Sequence, residues 1–123
     1  GYGGSCFPKD VKALEYTAKQ NGLTLRLVQA TEEVNKEQKK YMVNKVKKHF
    51  NNDLKGKTFV IWGTAFKANT DDIRETPAIE TVKELHAGGA KIRFHDPEAA
   101  DNFEKLMNEM SIPVDQFENK YDA

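Results

Sequence analysis

The chain carries one cysteine, Cys6, and its neighbours are of types that would make use of a thiol: Gly1-Tyr2-Gly3-Gly4-Ser5-Cys6-Phe7-Pro8-Lys9-Asp10. Gly3 and Gly4 let the backbone approach a ligand with no Cβ in the way. Pro8 suits the first turn of a helix, so the thiol stands just before a helix start. Free N–H groups of that first turn, the helix dipole and Lys9 all favour thiolate over thiol, and thiolate is the nucleophilic form. Asp10 lies one turn further on, placed to order a water or hold a cation. The competing reading makes Cys6 a small buried hydrophobe. As a dinucleotide fingerprint the segment fails, because Gly1-x-Gly3-x-x-Cys6 lacks the third glycine and follows no strand.

A second group of chemistry-bearing residues is Gly63-Thr64-Ala65-Phe66-Lys67 followed by Asn69-Thr70-Asp71-Asp72-Ile73-Arg74-Glu75-Thr76-Pro77. It leaves the carboxyl end of an expected strand, which is where open α/β sheets bind ligands. Lys67 and Arg74 offer cationic donors for phosphate, the latter in bidentate geometry. The alternative is an ordinary strand–helix loop in which those charges pair with Asp71, Asp72 and Glu75.

The elements that must hold these groups can be read from period and punctuation. A helix is expected from about Pro8 to Asn21-Gly22, on Val11, Leu14 and Ala18. A longer one is expected from about Thr24 to Phe50, with Leu27, Ala30, Val34, Tyr41 and Val46 on its inner stripe and Lys39, Lys40, Lys47 and Lys48 facing water. Such a rod reads as a connector between domains or a contact between subunits. Thr58-Phe59-Val60-Ile61-Trp62 reads as a buried strand. A helix from about Thr76 to Ala87 follows, then the strand Lys91–His95, the turn Asp96-Pro97 and a helix from about Glu98 to Met110, with Phe103, Leu106, Met107 and Met110 inward. Strand, tight turn, helix, strand is a parallel βαβ unit. The expected fold class is therefore α/β, a long central helix followed by a partial Rossmann-like parallel βαβ domain. The expected division is residues 1–55 for the cysteine loop and helical segment, and 56–123 for the partial Rossmann-like domain.

Composition narrows the function. The 123 residues carry 19 Lys plus Arg and 19 Asp plus Glu, and this balance argues against a general nucleic-acid binder. No apolar run approaches the ~18–20 residues that span a bilayer, so no membrane partner is expected. The single cysteine forms no disulfide within the chain and suits a reducing cytoplasm. Residues 36–57 hold eight Lys against two acids and residues 96–123 eight acids against two Lys, read as solvated faces. No cluster of metal-ligand spacing is seen, and no metal is expected. The chain opens inside a glycine turn and stops where more strands are expected, so it is read as a piece of a longer protein.

Taken together, Gly-Gly-Ser-Cys-Phe-Pro-Lys-Asp, the long helix, Gly-x-Ala-Phe-Lys and Thr-Asp-Asp-x-Arg-Glu resemble the nucleotide-sugar dehydrogenases that oxidise a sugar C6 alcohol to an acid. This is the UDP-glucose/GDP-mannose dehydrogenase family. Tyr2, Phe7 and the Asn69–Asp72 run look more like its UDP-glucose branch, and the GDP-mannose branch is the alternative. The resemblance spans Gly1 to about Pro97. It implies NAD as cofactor, a UDP-sugar as substrate and a homodimer or higher homo-oligomer joined through the central helix. It also implies that Cys6 is the nucleophile and that Asp10 orders catalytic water and cations. Gly1, Tyr2 and Gly3 would line the sugar, and Phe66 and Lys67 would touch the UDP-sugar. Cys6, Phe7, Pro8 and Lys9 would lie beside the nicotinamide, and Arg74 would reach NAD. The implied chemistry is two hydride transfers through a thiohemiacetal and a thioester on Cys6. The family's dinucleotide loop, acidic ribose reader and further catalytic Lys, Asn and Glu are not in this sequence, so the chain alone is not expected to turn over. A reading of another class remains: a helical oligomerisation module fused to half a nucleotide-binding domain, with Cys6 incidental.

Overall fold

The computed structural model describes residues 1–119. Helix α1 runs Phe7–Gln20, with Cys6 at its N-cap, Pro8 in its first turn and the N–H of Leu23 returning to the Ala18 carbonyl at its end. Helix α2 runs Arg26–His49 and antecedes a turn in which Asn51 and Asn52 take φ of +51° and +62°. Then follow β1 (Thr58–Trp62), α3 (Pro77–Ala87), β2 (Lys91–His95), α4 (Ala100–Glu109) and β3 (Val114–Gln116). Thr76 caps α3 by accepting the Ala78 N–H at 3.3 Å, and Pro77 supplies a preset helical φ behind it.

The three strands form one parallel sheet in the order β1-β2-β3, with Phe59 opposite Ile92 and Arg93 opposite Asp115. Both connections step the same way across the sheet, so right-handed crossovers place α3 and α4 on one face. The core lies there. Val82 and Leu85 of α3 meet Ile92 and Phe94 of β2, and Phe103 and Met107 of α4 close it, with the Phe94 and Phe103 rings 5.2 Å apart. Val43 of α2 and Leu54 extend this core, so the long helix is packed on α3 and not held clear of the sheet domain. The fold class is α/β, as the sequence patterning predicts.

Four sequence expectations need correction. The inner face of α2 is not the apolar stripe: of its members Val46 packs on the core but Leu27, Ala30, Val34 and Tyr41 are exposed, whereas Glu32, Asn35, Lys39 and Val43 are buried. Lys39, expected in water, is only 9% exposed. Strand β1 is half buried, since only Phe59 and Ile61 face the core while Val60 and Trp62 point to the uncovered face, Trp62 being 67% exposed. Met110 lies just past α4 and is exposed. Strand β3 has no signal in the sequence pattern: it is short, polar at Asp115 and Gln116, and pairs in parallel with β2.

Candidate active site

The cysteine loop and the loop after β1, some sixty residues apart in sequence, are docked on each other. The Gly4 N–H donates to the Arg74 carbonyl at 2.7 Å. Gly4 takes φ +89°, and a Cβ there would stand 2.7 Å from the Phe66 ring. At Gly3 a Cβ would lie 2.4 Å from the Glu75 carbonyl oxygen. Both glycines are therefore required by backbone-to-loop contact, which is the close approach their lack of a side chain permits.

Cys6 is exposed, so it is not a core hydrophobe. Its Sγ lies 3.5 Å from the Ser5 hydroxyl, and its carbonyl accepts the Asp10 N–H at 3.1 Å, closing the first turn of α1. The thiol thus sits at the positive end of a fourteen-residue helix. Lys9 is committed to Asp10, Nζ to Oδ1 at 2.7 Å, and so Asp10 holds a neighbouring cation. The Phe7 ring meets the Tyr2 ring edge-on at 4.6 Å. Residues 1 and 2 are tied to α2: the Tyr2 N–H donates to Asn35 Oδ1 at 2.7 Å, Asn35 Nδ2 donates to the Tyr2 carbonyl at 3.2 Å, and the Tyr2 hydroxyl donates to Glu32. Burial, then the Glu32 carboxylate, push the Tyr2 phenol up to about 12.

In the loop after β1, the Phe66 N–H bonds the Asp72 carbonyl at 3.1 Å, and Lys67 Nζ stands over the Phe66 ring at 5.3 Å. Arg74 grips Asp72 in bidentate fashion, Nε to Oδ1 at 2.8 Å and Nη2 to Oδ2 at 2.7 Å, and this hydrogen bonding holds the Asp72 carboxyl below its ordinary range. Of the pairings expected within this loop, Arg74 with Asp72 forms, whereas Lys67 stands over the Phe66 ring and Glu75 pairs with lysines of α1 and α2.

Two openings flank the docked loops. One, of about 690 Å³, is lined by Gly4, Ser5, Pro8, Lys9 and Arg74, with Ile73 and Ile79 as its apolar side. The other, of about 470 Å³, lies at the carboxyl ends of β1 and β2 and is lined by Trp62, Ala65, Lys67, Asn69 and Asp96. Lys67 and Arg74 therefore serve different openings. The second one is built by a residue the sequence reading treated only as a turn. Asp96 Oδ2 accepts the N–H groups of Thr64 at 2.6 Å and Ala65 at 3.2 Å, while Oδ1 accepts those of Glu98 at 2.9 Å and Ala99 at 2.8 Å. Burial opposes its charge, yet these backbone donors prevail and hold it at about 2. One carboxylate thus stitches together the loops leaving both strands. An Asp directly after a strand and before Pro97 was the available signal.

Glu75, expected to pair within its own loop, has a different role. It takes φ +55° and receives Lys12 of α1 on Oε1 and Lys39 of α2 on Oε2, each at 2.8 Å. Those two hydrogen-bonded ammoniums hold its carboxyl at about 2. Its pairing is not legible locally, because both partners are distant in sequence.

Comparison with known proteins supports the same grouping of segments. Residues 60–123 match the UDP-binding domain, and residues 1–37 the central domain, of the UDP-glucose/GDP-mannose dehydrogenase family. The UDP-glucose 6-dehydrogenase of Rhizobium meliloti is 41% identical over the whole chain, which spans 28% of that relative's length. That of Pseudomonas aeruginosa is 42% identical over 80% of the chain, or 22% of its own length. Among solved structures, a UDP-glucose dehydrogenase from Pyrobaculum islandicum superposes with a TM-score of 0.88 at 33% identity, covering 97% of this chain and 27% of its own. A GDP-mannose dehydrogenase ternary complex from Pseudomonas aeruginosa gives 0.81 at 26% identity, covering 99% and 28%. The chain spans about a quarter of the length of these relatives. With a family model covering more than half of it and the cysteine loop seated on the loop after β1, the chain belongs to the UDP-glucose/GDP-mannose dehydrogenase family.

Proposed function

We propose that this chain is the nucleophile-bearing part of an NAD-dependent dehydrogenase that oxidises the C6 alcohol of UDP-glucose to the acid. The observation that carries this reading is the docking of the Gly1–Cys6 loop on the Phe66–Glu75 loop, which leaves an exposed thiol at a helix N-terminus whose chain neighbours Ser5 and Pro8 line the larger opening. The names of the relatives support UDP-glucose as substrate.

The division of labour is the one the family resemblance implies, and the contacts support it. Residues 1–55 bear the nucleophile and the long helix, and residues 56–123 bear the nucleotide end; the two family-model windows support that division. Gly1, Tyr2 and Gly3 line the sugar, with Tyr2 held by Asn35 and Glu32. Phe66 and Lys67 meet the UDP-sugar at the carboxyl end of β1. Phe7, Pro8, Lys9 and Arg74 face the cofactor. The residues present fit one wall of a dinucleotide site. The Arg74 guanidinium, which lines the larger opening and is bound to Asp72 through Nε and Nη2, keeps further donors for a pyrophosphate. The chain contains no Gly-x-Gly-x-x-Gly unit, so the remaining walls are not its own. NAD, when bound, supplies the hydride acceptor for both oxidations.

Cys6 acts between them. Its thiolate bonds the C6 aldehyde carbon, whose oxygen takes a proton, and the carbon stays tethered as a thiohemiacetal. Once that carbon has reached the acid oxidation level as a thioester, water ordered near Asp10 adds to it, the C–S bond breaks and the sulfur leaves as thiolate. The chain by itself does not complete this cycle. In the whole protein the exposed face of α2 joins subunits, and the reduced thiol suits a cytoplasmic enzyme. The test is Cys6→Ser in the full-length protein, assayed for the acid. Acid formation is expected to fall by at least ~10³-fold with NAD affinity retained. Acid formation at the unmodified protein's rate would refute the role.

A further inference from the structure

The buried stripe of α2 is polar over Glu32, Asn35 and Lys39, where a core helix is ordinarily apolar, and each of these three holds a piece of the site. Glu32, Asn35 and Lys39 are 7%, 6% and 9% exposed. Glu32 and Asn35 hold Tyr2, whereas Lys39 reaches Glu75 in the opposite loop. Burying an ammonium is costly, and so is a left-handed φ at a residue other than glycine. Both costs fall on the single pair Lys39–Glu75, with Lys12 of α1 completing the clamp from the solvent side. The backbone of that clamp is what the cysteine loop rests on. The Glu75 carbonyl is the atom that a Cβ at Gly3 would strike, and the preceding carbonyl, that of Arg74, receives the Gly4 N–H.

We infer that Glu75, gripped by Lys12 and Lys39, is a positioning residue that sets where the Cys6 loop sits and keeps the thiolate in reach of the sugar carbon between the two oxidations. The inference deepens the proposed function and rests on it. Oxidation of the alcohol to the aldehyde moves one hydride and makes no bond to sulfur. Capture of the aldehyde does require the bond, and the second hydride leaves only after it. A shift of the loop by an ångström therefore harms capture more than the first oxidation. Aldehyde that escapes has delivered one hydride to NAD and yields no acid.

The experiment uses the full-length protein with Glu75→Gln, UDP-glucose and NAD. It follows NADH by absorbance, acid by chromatography and released aldehyde with a hydrazine probe. Acid formation is expected to fall on the order of tenfold to a hundredfold, with KM for UDP-glucose changed only a few fold. NADH formed per acid should rise above the unmodified protein's ratio, and the hydrazone should accumulate. A merely structural lesion slows both oxidations in step. An unchanged ratio with no hydrazone would therefore overturn the inference. Should Glu75→Gln fail to fold, Lys12→Met removes only the exposed arm of the clamp and is judged by the same ratio. Cys6→Ser is run in parallel. If it forms acid normally, the nucleophile assignment itself has failed; if it does not, while Glu75→Gln keeps the ratio, only the clamp has failed.

Discussion

At Gly4 two independent constraints coincide, a left-handed backbone and a ring packed where a side chain would go. Gly4→Ala is expected to lower stability by about 1–3 kcal/mol and to displace the cysteine loop, so thermal unfolding should begin earlier and activity of the full-length protein should drop. Trimming the ring with Phe66→Leu should recover little, because the φ of +89° remains. Asp96 permits a prediction about acid. Its carboxyl is held at about 2 against an ordinary 3.8, so it contributes stability that is present above the unfolded value and is lost as pH falls through the folded one. The contribution is of order 2 kcal/mol and disappears between roughly pH 4 and pH 2. Asp96→Asn, which turns an amide N–H toward backbone donors, should remove that increment at neutral pH and flatten the acid limb in urea-unfolding measurements across pH. Cys6 and the glycines before it could be recognised from sequence because the requirement is local. The role of Glu75 could not, since its ammonium partners come from Lys12 and Lys39 on other elements.

Among the elements, α2 shows why periodicity identified a helix correctly and its inner face incorrectly. Leu27, Val34 and Tyr41 repeat every seven residues and form the most apolar stripe, yet the stripe that packs inward is Glu32, Asn35, Lys39 and Val43. A polar stripe is buried when it finds polar partners, and those partners, Tyr2 and Glu75, sit in other segments. The strand–helix–strand unit from β1 to β2 was legible because its signals are local: Gly63 at the turn, Thr76-Pro77 at the helix start, Gly88-Gly89 at its end. Strand β3 was not, because three residues carry too short a pattern. Thr76 ties two of these elements together, capping α3 and donating to the Ala65 carbonyl at 3.3 Å. Thr76→Ala is expected to cost about 1–2 kcal/mol, readable as a shift of the urea midpoint with unchanged slope.

For the molecule as a whole, two stretches of apolar surface are left exposed among the described residues besides Leu14 and Tyr16 of α1. One is the outer stripe of α2, where Leu27 is 85% exposed above an open groove of about 610 Å³ also lined by Tyr2, Ala30 and Val34. The other is the sheet face opposite the helices, with Val60 and Trp62. Surface of this kind promotes association. The isolated chain is expected to self-associate with rising concentration in sedimentation runs, and Leu27→Glu with Val34→Glu should shift it toward monomer. A monomer independent of concentration would contradict this.

The most direct test of the nucleophile is to catch it in bond. The full-length protein is mixed with UDP-glucose and NAD, quenched in acid within the first turnovers and digested, and the peptide holding Cys6 is weighed by mass spectrometry. A nucleophilic Cys6 predicts a sugar-nucleotide adduct on that sulfur, absent when NAD is omitted. Steady acid production with that peptide always unmodified, or an adduct carried by a different residue, would contradict it.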